Sequence, residues 1–186
     1  MGIRDRFKVK GKVSITVFDK DGNIKRHPRT WFDRLIGRPG RPMISVNHNI
    51  VTDEGDALIA DLMSNSPARV KVDNGNGYIE VGTGWTGVNV KLNTSCNTPT
   101  GSPEQLDSTY PKVKGAFGAA DDNVVQYRAT FEAGDLSATD IDEVALLNNS
   151  NAASADCLAY AEITPKVTVG SLDTLQIDWE LTFTGV

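Results

Sequence analysis

The chain has 186 residues, of which 39% are hydrophobic, and a formal net charge of −5. This length predicts a single domain with a substantial hydrophobic core. Its apolar runs are shorter than the roughly 18 residues of a membrane-spanning helix, and its charged first residues do not fit a signal peptide, so we expect no membrane association and no secretion by that route.

Charge is divided unevenly along the chain. Residues 1–50 hold 12 Lys and Arg against 4 Asp and Glu, a net +8, whereas residues 51–186 hold 7 against 20, a net −13. This division predicts contact with an acidic partner, either nucleic acid or the acidic part of a neighbouring copy, and we favour the copy. Cys96 and Cys157 lack the spacing of a disulfide framework, which favours free thiols and leaves one bridge open.

Residues 7–17 alternate between apolar and polar side chains, which predicts a half-buried strand. The next five residues, DKDGN, have carboxylates spaced as in a calcium loop. An EF-hand loop also needs Gly at its sixth position and Glu at its twelfth, where this chain has Ile24 and Thr30. Asp-Gly between extended segments favours a hairpin turn instead, with residues 24–27 as the returning strand. We therefore predict that residues 1–28 form a basic β-hairpin within the main fold.

Residues 29–48 are predicted to form an extended docking arm with a short helix. Thr30 and Asp33 have the spacing of a capping box, and Gly37 ends the helix. One face of this helix carries the candidate docking residues Trp31, Phe32, Leu35 and Ile36. Two interpretations remain open, a flap over the core of the same domain or a docking helix for another subunit.

Residues 49–186 are predicted to form the body of the protein. A helix is expected at 52–64, with Thr52 as its N-cap and a buried stripe. The stripe comprises Leu58, Ile59, Leu62 and Met63. Strand-like alternation follows at 78–81, 125–131, 141–147, 157–163 and 175–183. Strands separated by turns rather than helices predict a mainly β fold, specifically an antiparallel, jelly-roll-like β-sandwich with one helix, the hairpin and the arm.

The sequence offers little for catalysis. The stretch GTGWTG at 82–87 matches a dinucleotide-binding motif, but no helix is predicted after it, so we interpret it as a glycine-rich bend. His27 and His48 are the only histidines and lie in no catalytic or zinc motif. Asp142 and Glu143 adjoin a predicted turn, where solvated acids are common, although a glycosidase pair could be hidden among the 24 acids. We predict no enzyme activity, no cofactor and no metal.

A basic contact surface is predicted near the start of the chain. Its members are Arg4, Arg6, Lys8, Lys10, Lys12, Lys25, Arg26 and Arg29. They could bind phosphates, or the strand lysines could protect a sheet edge from unwanted pairing. The aromatic residues of single-strand nucleic-acid binders are not interleaved with them. Pairing with acidic neighbours in an assembly is the preferred interpretation, and nucleic acid is the second.

Five stretches resemble small structural proteins of tailed bacteriophages, of the tail, collar or head-decoration kind. These stretches are KGKVSITVFDKDGNI, NHNIVTDEGDALIADLM, IEVGTG, TDIDEVALLN and ITPKVTVGSLDTLQIDWELTF. The resemblance implies a non-enzymatic virion component that assembles with copies of itself and with other virion proteins. The alternative is a receptor- or glycan-binding module of a tail fibre or baseplate, with the predicted loops at 86–111 and 148–155 as its binding surface.

Overall fold

The computed structural model describes residues 7–185 and is mainly β. Nine strands and two helices follow one another along the chain. They are β1 (Phe7–Phe18), α1 (Trp31–Leu35), β2 (Ile44–Val51), α2 (Asp53–Leu62), β3 (Tyr78–Gly82), β4 (Pro99–Gln105), β5 (Lys112–Val113), β6 (Val124–Phe131), β7 (Ala138–Leu147), β8 (Cys157–Val169) and β9 (Thr174–Gly185). Within residues 7–185, neither helix has the length and apolar character needed to cross a membrane.

All nine strands belong to one antiparallel sheet that is curled into a half-barrel. Their order across the sheet is β4-β3-β7-β8-β2-β1-β9-β6-β5. The mainly β prediction is confirmed, but the predicted two-sheet sandwich is not what residues 7–185 show. Alternating side chains establish that a strand has one buried face. They do not establish whether a second sheet or the curvature of the same sheet covers that face.

The inner face of the curled sheet carries the main hydrophobic core. Val13 and Ile15 on β1 lie beside Trp179 and Ile177 on β9, and all four side chains are fully buried. Leu146 on β7 belongs to the same core. The alternation that predicted β1 and β9 is thus confirmed, because their apolar positions share this inner face.

Helix α2 covers part of the inner face less completely than the sequence predicted. Thr52 caps it, with its hydroxyl accepting a hydrogen bond from the Gly55 N–H at 2.9 Å. Leu58 is buried, but Leu62 is exposed and Met63, just beyond the helix, is 82% exposed. The predicted four-residue buried stripe is therefore wrong for its second half.

The predicted N-terminal hairpin forms at its turn and ends at Lys25. The Gly22 N–H donates to the Asp19 carbonyl at 2.9 Å, Ile24 is bridged to Phe18, and the Lys25 N–H donates to the Val17 carbonyl at 2.8 Å. The chain then leaves β1 and pairs with residues 41–43, since the His27 N–H donates to the Arg41 carbonyl at 2.8 Å. We call residues 25–43 the projection. The place beside β1 is taken by β2, which includes residues 44–48 of the predicted docking arm.

Strands β2 and β4 were absent from the prediction. In β2 the apolar side chains of Ile44, Val46 and Ile50 are exposed, whereas Ser45 is buried, so the usual pattern is inverted. Strand β4 has the sequence PTGSPEQ, without any β-branched apolar residue, and lies at an edge of the sheet. The segment 86–111 is consequently not one long loop, since it contains β4 and a short 3-10 turn at Val90–Leu92.

Candidate docking surfaces

The projection is anchored firmly at its base. The Arg26 guanidinium donates to the Gly40 carbonyl at 2.9 Å, and Arg26 is bridged to Pro42. Gly40 is buried, and a Cβ at this position would overlap the His27 carbonyl oxygen, so the two chain segments approach as closely as glycine allows. Residues 28–40 therefore extend from a fixed two-stranded stem.

Helix α1 forms at the outer part of the projection because both of its ends are capped. Thr30 Oγ1 accepts from the Asp33 N–H, and Asp33 Oδ2 accepts from the Thr30 N–H, each at 3.1 Å. Hydrogen bonds from Thr30 hold the pKa of Asp33 below its ordinary value. Gly37, with φ of +69°, ends the helix in the left-handed conformation. The predicted capping box and glycine stop are both confirmed.

The predicted docking residues do not cover the core of their own domain. Trp31 is 77% exposed and Leu35 is 73% exposed, while Phe32 and Ile36 are also exposed. The rings of Trp31 and Phe32 meet edge to face with centroids 5.8 Å apart. None of the α1 residues is buried, which contradicts the flap interpretation. The four side chains form an unpartnered apolar surface within the described part of the chain.

The predicted basic residues do not form one surface. Lys8, Lys10 and Lys12 are exposed on the outer side of β1, and we call them the lysine row. Arg29 is exposed on the projection, about one strand length away. Lys25 is part-buried, where it binds the Asp173 carboxylate and donates to the Thr168 carbonyl at 3.1 Å. Arg26 is used inside the projection, and Arg4 and Arg6 lie outside the described residues.

The lysine row covers two differently paired parts of β1. Residues 11–16 pair with both β2 and β9, whereas residues 7–10 pair with β9 alone. Lys12 is opposite Glu180 on β9 and opposite His48 on β2. The edge-protection interpretation is therefore wrong for Lys12 and stays a prediction for Lys8 and Lys10.

A second, smaller core lies on the outer face of β3, β7 and β8. Residues 83–98, which we call the cover, pack over this face. The Trp85 ring stacks on Tyr160 with centroids 5.3 Å apart. The glycine-rich motif at 82–87 is the bend that carries the chain from β3 into the cover. The predicted bend is confirmed, and the next helical element is the three-residue turn at Val90–Leu92.

Buried carboxylates hold the cover in place. Glu143 Oε1 accepts the N–H groups of Gly84 at 2.9 Å and Thr98 at 2.8 Å, and Oε2 accepts the Asn97 N–H at 3.0 Å. The Tyr160 hydroxyl also donates to Glu143. Asp142 accepts the Trp85 N–H at 3.0 Å and binds Lys166 at 2.8 Å. The sequence prediction of solvated acids at Asp142 and Glu143 is therefore wrong.

Glu80 is the third carboxylate of this site and is only 2% exposed. Its Oε2 accepts the Cys96 N–H at 2.8 Å. Burial, opposed by that hydrogen bond and reinforced by nearby Glu143, raises the pKa of Glu80. Cys96 and Cys157 are both buried as free thiols, as predicted, and burial raises the pKa of each. Such thiols are poor nucleophiles because the thiolate is disfavoured.

We expect Glu80→Gln to change how stability depends on pH. Since the folded pKa of Glu80 is raised, the native state binds more protons than the unfolded state above the ordinary glutamate pKa. The free energy of unfolding therefore falls as pH rises through the folded pKa. In urea denaturation from pH 4 to 9, the free energy of unfolding of Glu80→Gln should fall less with rising pH than that of wild type. At pH 8 the variant should be more stable than wild type. Glu162→Gln is the control, because Glu162 is a half-exposed acid on β8. A difference in free energy of unfolding between wild type and Glu80→Gln that stays constant from pH 4 to 9 would contradict the expectation.

The two loops predicted as a receptor-binding surface differ in structure. Much of 86–111 is ordered as cover and as β4, while residues 148–155 form the connection between β7 and β8 with a short turn at Ala152–Ser154. Asn148 fixes that connection by donating to the Val70 carbonyl at 2.7 Å. Receptor or glycan binding by these loops stays a prediction. Within residues 7–185, no three His, Cys, Asp or Glu side chains are grouped so as to hold a metal ion.

No protein-family model, curated protein or solved structure matches this chain. The resemblance to phage structural proteins therefore depends on the five sequence stretches alone.

Proposed function

We propose that the protein is a non-enzymatic structural component of a tailed bacteriophage virion, in the tail, the neck or the capsid decoration. In this proposal the protein is assembled in the host cytoplasm and resides in the virion, held by contacts with copies of itself and with other virion proteins. The observation that carries the proposal is the exposed apolar surface of α1 on an anchored projection. The sequence resemblance to small structural proteins of tailed bacteriophages is the reason for proposing a virion as the assembly.

A protein partner explains the projection better than solvent exposure does. Its helix has five residues, too short to be stable alone, yet the chain supplies a capping box, a glycine stop and a fixed stem for it. Trp and other large apolar side chains in this arrangement are typical anchors of protein interfaces. Burying them in a partner removes apolar area from water at about 25 cal/mol per Å².

Charge also favours a protein partner over nucleic acid. Between residues 28 and 41 the projection has four arginines and one aspartate, a net charge of +3. These arginines surround an apolar surface rather than forming a continuous basic track, and the lysine row lies on a different part of the molecule. An acidic and partly apolar protein surface complements the projection, whereas a phosphate backbone would leave Trp31 and Leu35 without a partner.

The buried carboxylates favour a structural role. A catalytic carboxylate must reach a substrate, but Glu143 is fully buried and its two oxygens accept four hydrogen bonds from the protein itself. Asp142 and Glu80 are engaged in the same attachment of the cover. These three acids therefore contribute to the cohesion of the subunit, as a building block requires.

Removing the outer projection should remove the protein from virions without unfolding it. We expect a variant with residues 29–39 replaced by Asn-Gly to be folded, because Gly40 and the stem from residue 25 to 27 are retained. In the phage that encodes the chain, with the gene deleted and supplied in trans, gradient-purified particles should contain at least tenfold less of this variant than of wild type. The amounts are measured by quantitative immunoblot and corrected for soluble expression.

Phe117→Asp is the matched control, because Phe117 is fully exposed on a different loop and its loss removes a comparable apolar side chain. It should be incorporated like wild type. Wild-type protein absent from purified particles would overturn the proposed function. Normal incorporation of the 29–39 replacement would show that the projection is not what attaches the protein.

A further inference from the structure

The end of the sheet opposite the projection carries an apolar groove. One wall is the second half of α2, with Ile59, Leu62 and the adjacent Met63. The floor includes Tyr127 and Leu181 on the inner face of the sheet, and Val72 from the segment between α2 and β3. Burial raises the pKa of Tyr127 to about 12, so this floor presents a neutral phenol. Leu62 and Met63 are exposed and form a second apolar surface without a partner among residues 7–185.

The groove and the projection cannot meet within one copy. Strand β2 begins at Ile44, where the projection ends, and finishes at Val51, which leads through Thr52 into α2. Eight residues of strand span roughly 25 Å, so the projection and α2 are at opposite ends of β2. Two unpartnered apolar surfaces at opposite ends of one subunit fit a head-to-tail contact between subunits.

Charge complements this arrangement. Helix α2 contains Asp53, Glu54, Asp56 and Asp61 and no basic residue, a net charge of −4. Lys91 binds Asp53 at 3.2 Å and Asp56 at 2.8 Å, so α2 together with Lys91 carries −4 + 1 = −3. Lys71, which lines the groove, is paired with Asp73 at 3.3 Å. Residues 28–41 of the projection carry the net charge of +3 given above, with Arg34 and Arg38 on or next to α1. Opposite charges at the rim orient the partners and speed association.

A separate pocket lies on the other side of Ile59 and Met63 and is lined by Val9 and Asn49. The amide of Asn49 lies over Gly11. Both Asn49 Oδ1 and Nδ2 are buried and have no hydrogen-bond partner among the described residues.

We infer that the groove beside α2 receives the α1 helix of a second copy, so that subunits join head to tail with Trp31 and Leu35 of one copy against Leu62 and Met63 of the next. The inference rests on the proposed function, because it identifies the partner of the projection. A heterologous contact of this kind closes into a ring or extends as a stack.

Complementation between two defective variants tests the inference. Leu35→Asp alters the projection and leaves the groove intact, whereas Met63→Asp alters the groove and leaves the projection intact. Both side chains are mostly exposed, so both variants should fold, which circular dichroism checks. In sedimentation velocity over a hundredfold range of concentration, wild type should form species larger than a monomer. Each variant alone should need at least tenfold higher protein concentration than wild type to form such species. The equimolar mixture of the two variants should form a 1:1 dimer and no larger species, because the remaining projection and the remaining groove are both altered.

Cross-linking gives a second readout, because a disulfide traps even a short-lived contact between the two chains. A chain with Ile36→Cys mixed with a chain with Met63→Cys should form a disulfide-linked heterodimer under mild oxidation, whereas neither chain alone should do so. Phe117→Asp should assemble like wild type. Three outcomes would overturn the inference. Either Asp variant could dimerise like wild type, the mixture of the two could fail to associate, or wild type could stay monomeric at every concentration.

The outcomes separate the inference from the proposed function. A purified chain that stays monomeric, combined with loss of the 29–39 replacement from particles, would overturn head-to-tail docking and support attachment to another virion protein. A chain that assembles head to tail but is absent from particles would overturn the virion function and support the contact itself.

Discussion

Replacing Glu143 with alanine is expected to lower the free energy of unfolding by about 4 kcal/mol and to release the cover from the sheet. The substitution removes the acceptor of three backbone N–H groups and of the Tyr160 hydroxyl. Each buried donor left without a partner costs about 1–3 kcal/mol, and the costs are not fully additive because the cover can shift and admit water. Urea denaturation gives the loss, and limited proteolysis within 83–98 reports release of the cover.

Two further variants separate the hydrogen bonds from the charge. Glu143→Gln keeps one acceptor oxygen but places an NH2 group among N–H donors. We therefore expect its free energy of unfolding to lie between those of wild type and Glu143→Ala. Glu162→Ala removes the acid paired with Glu143 across β7 and β8 and should cost less than about 1 kcal/mol, because Glu162 is half-exposed and bonds only to Thr164 among the contacts described. Equal losses for Glu143→Ala and Glu162→Ala would show that the cover is held by its apolar contacts.

Part of this attachment was accessible from the sequence. Glu143 shares its strand face with Ala145 and Leu147, so an acid at an apolar position was visible in the alternation. Asp142, by the same alternation, should point to the opposite face. The pairing of β7 with β8 is irregular between Ile141 and Glu143, and Asp142 also reaches the cover at Trp85. Register irregularities depend on the partner strand, which the sequence of β7 alone does not specify.

Local signals predicted the projection well, whereas long-range pairing was predicted poorly. The capping box of Thr30 with Asp33 involves neighbouring residues and formed as predicted. The partner of β1 was predicted wrongly, because Asp-Gly makes a good hairpin turn whether or not the returning chain continues as a strand. β2 was missed because it buries Ser45 and exposes Val46, an inversion that fits a strand whose outward face is available for contacts.

The two surfaces of the head-to-tail inference also differ in what the sequence revealed. Trp31 and Phe32 were recognised as docking candidates because two adjacent aromatic residues lie in a short segment rich in Pro, Gly and Arg. Leu62 and Met63 were assigned to the core, because a helical stripe of apolar residues is most often buried. Only the position of α2 at the end of the sheet shows that Leu62 and Met63 lie beyond the part of the inner face that the helix covers.

Gly55→Ala is expected to destabilise the fold by about 2–3 kcal/mol, although it replaces a glycine within a helix. Helix propensity alone favours Ala by about 1 kcal/mol. A Cβ at position 55, however, would overlap the Leu158 carbonyl oxygen and lie 3.0 Å from a Val51 methyl group. The start of α2 cannot move away freely, because the Thr52 hydroxyl donates to the Cys157 carbonyl and Glu54 accepts the Cys157 N–H at 3.0 Å.

The matched control is Ala57→Gly, an exposed position on the same helix, which should lose about 1 kcal/mol from propensity. A Gly55→Ala protein more stable than wild type in urea denaturation would show that α2 has room to shift outward. Because α2 forms one wall of the groove, its displacement in the Gly55→Ala variant should also weaken self-association of the folded protein in sedimentation velocity, while Ala57→Gly should leave it unchanged. Close packing at one glycine thus sets both the stability of the subunit and the position of the surface inferred to join it to the next.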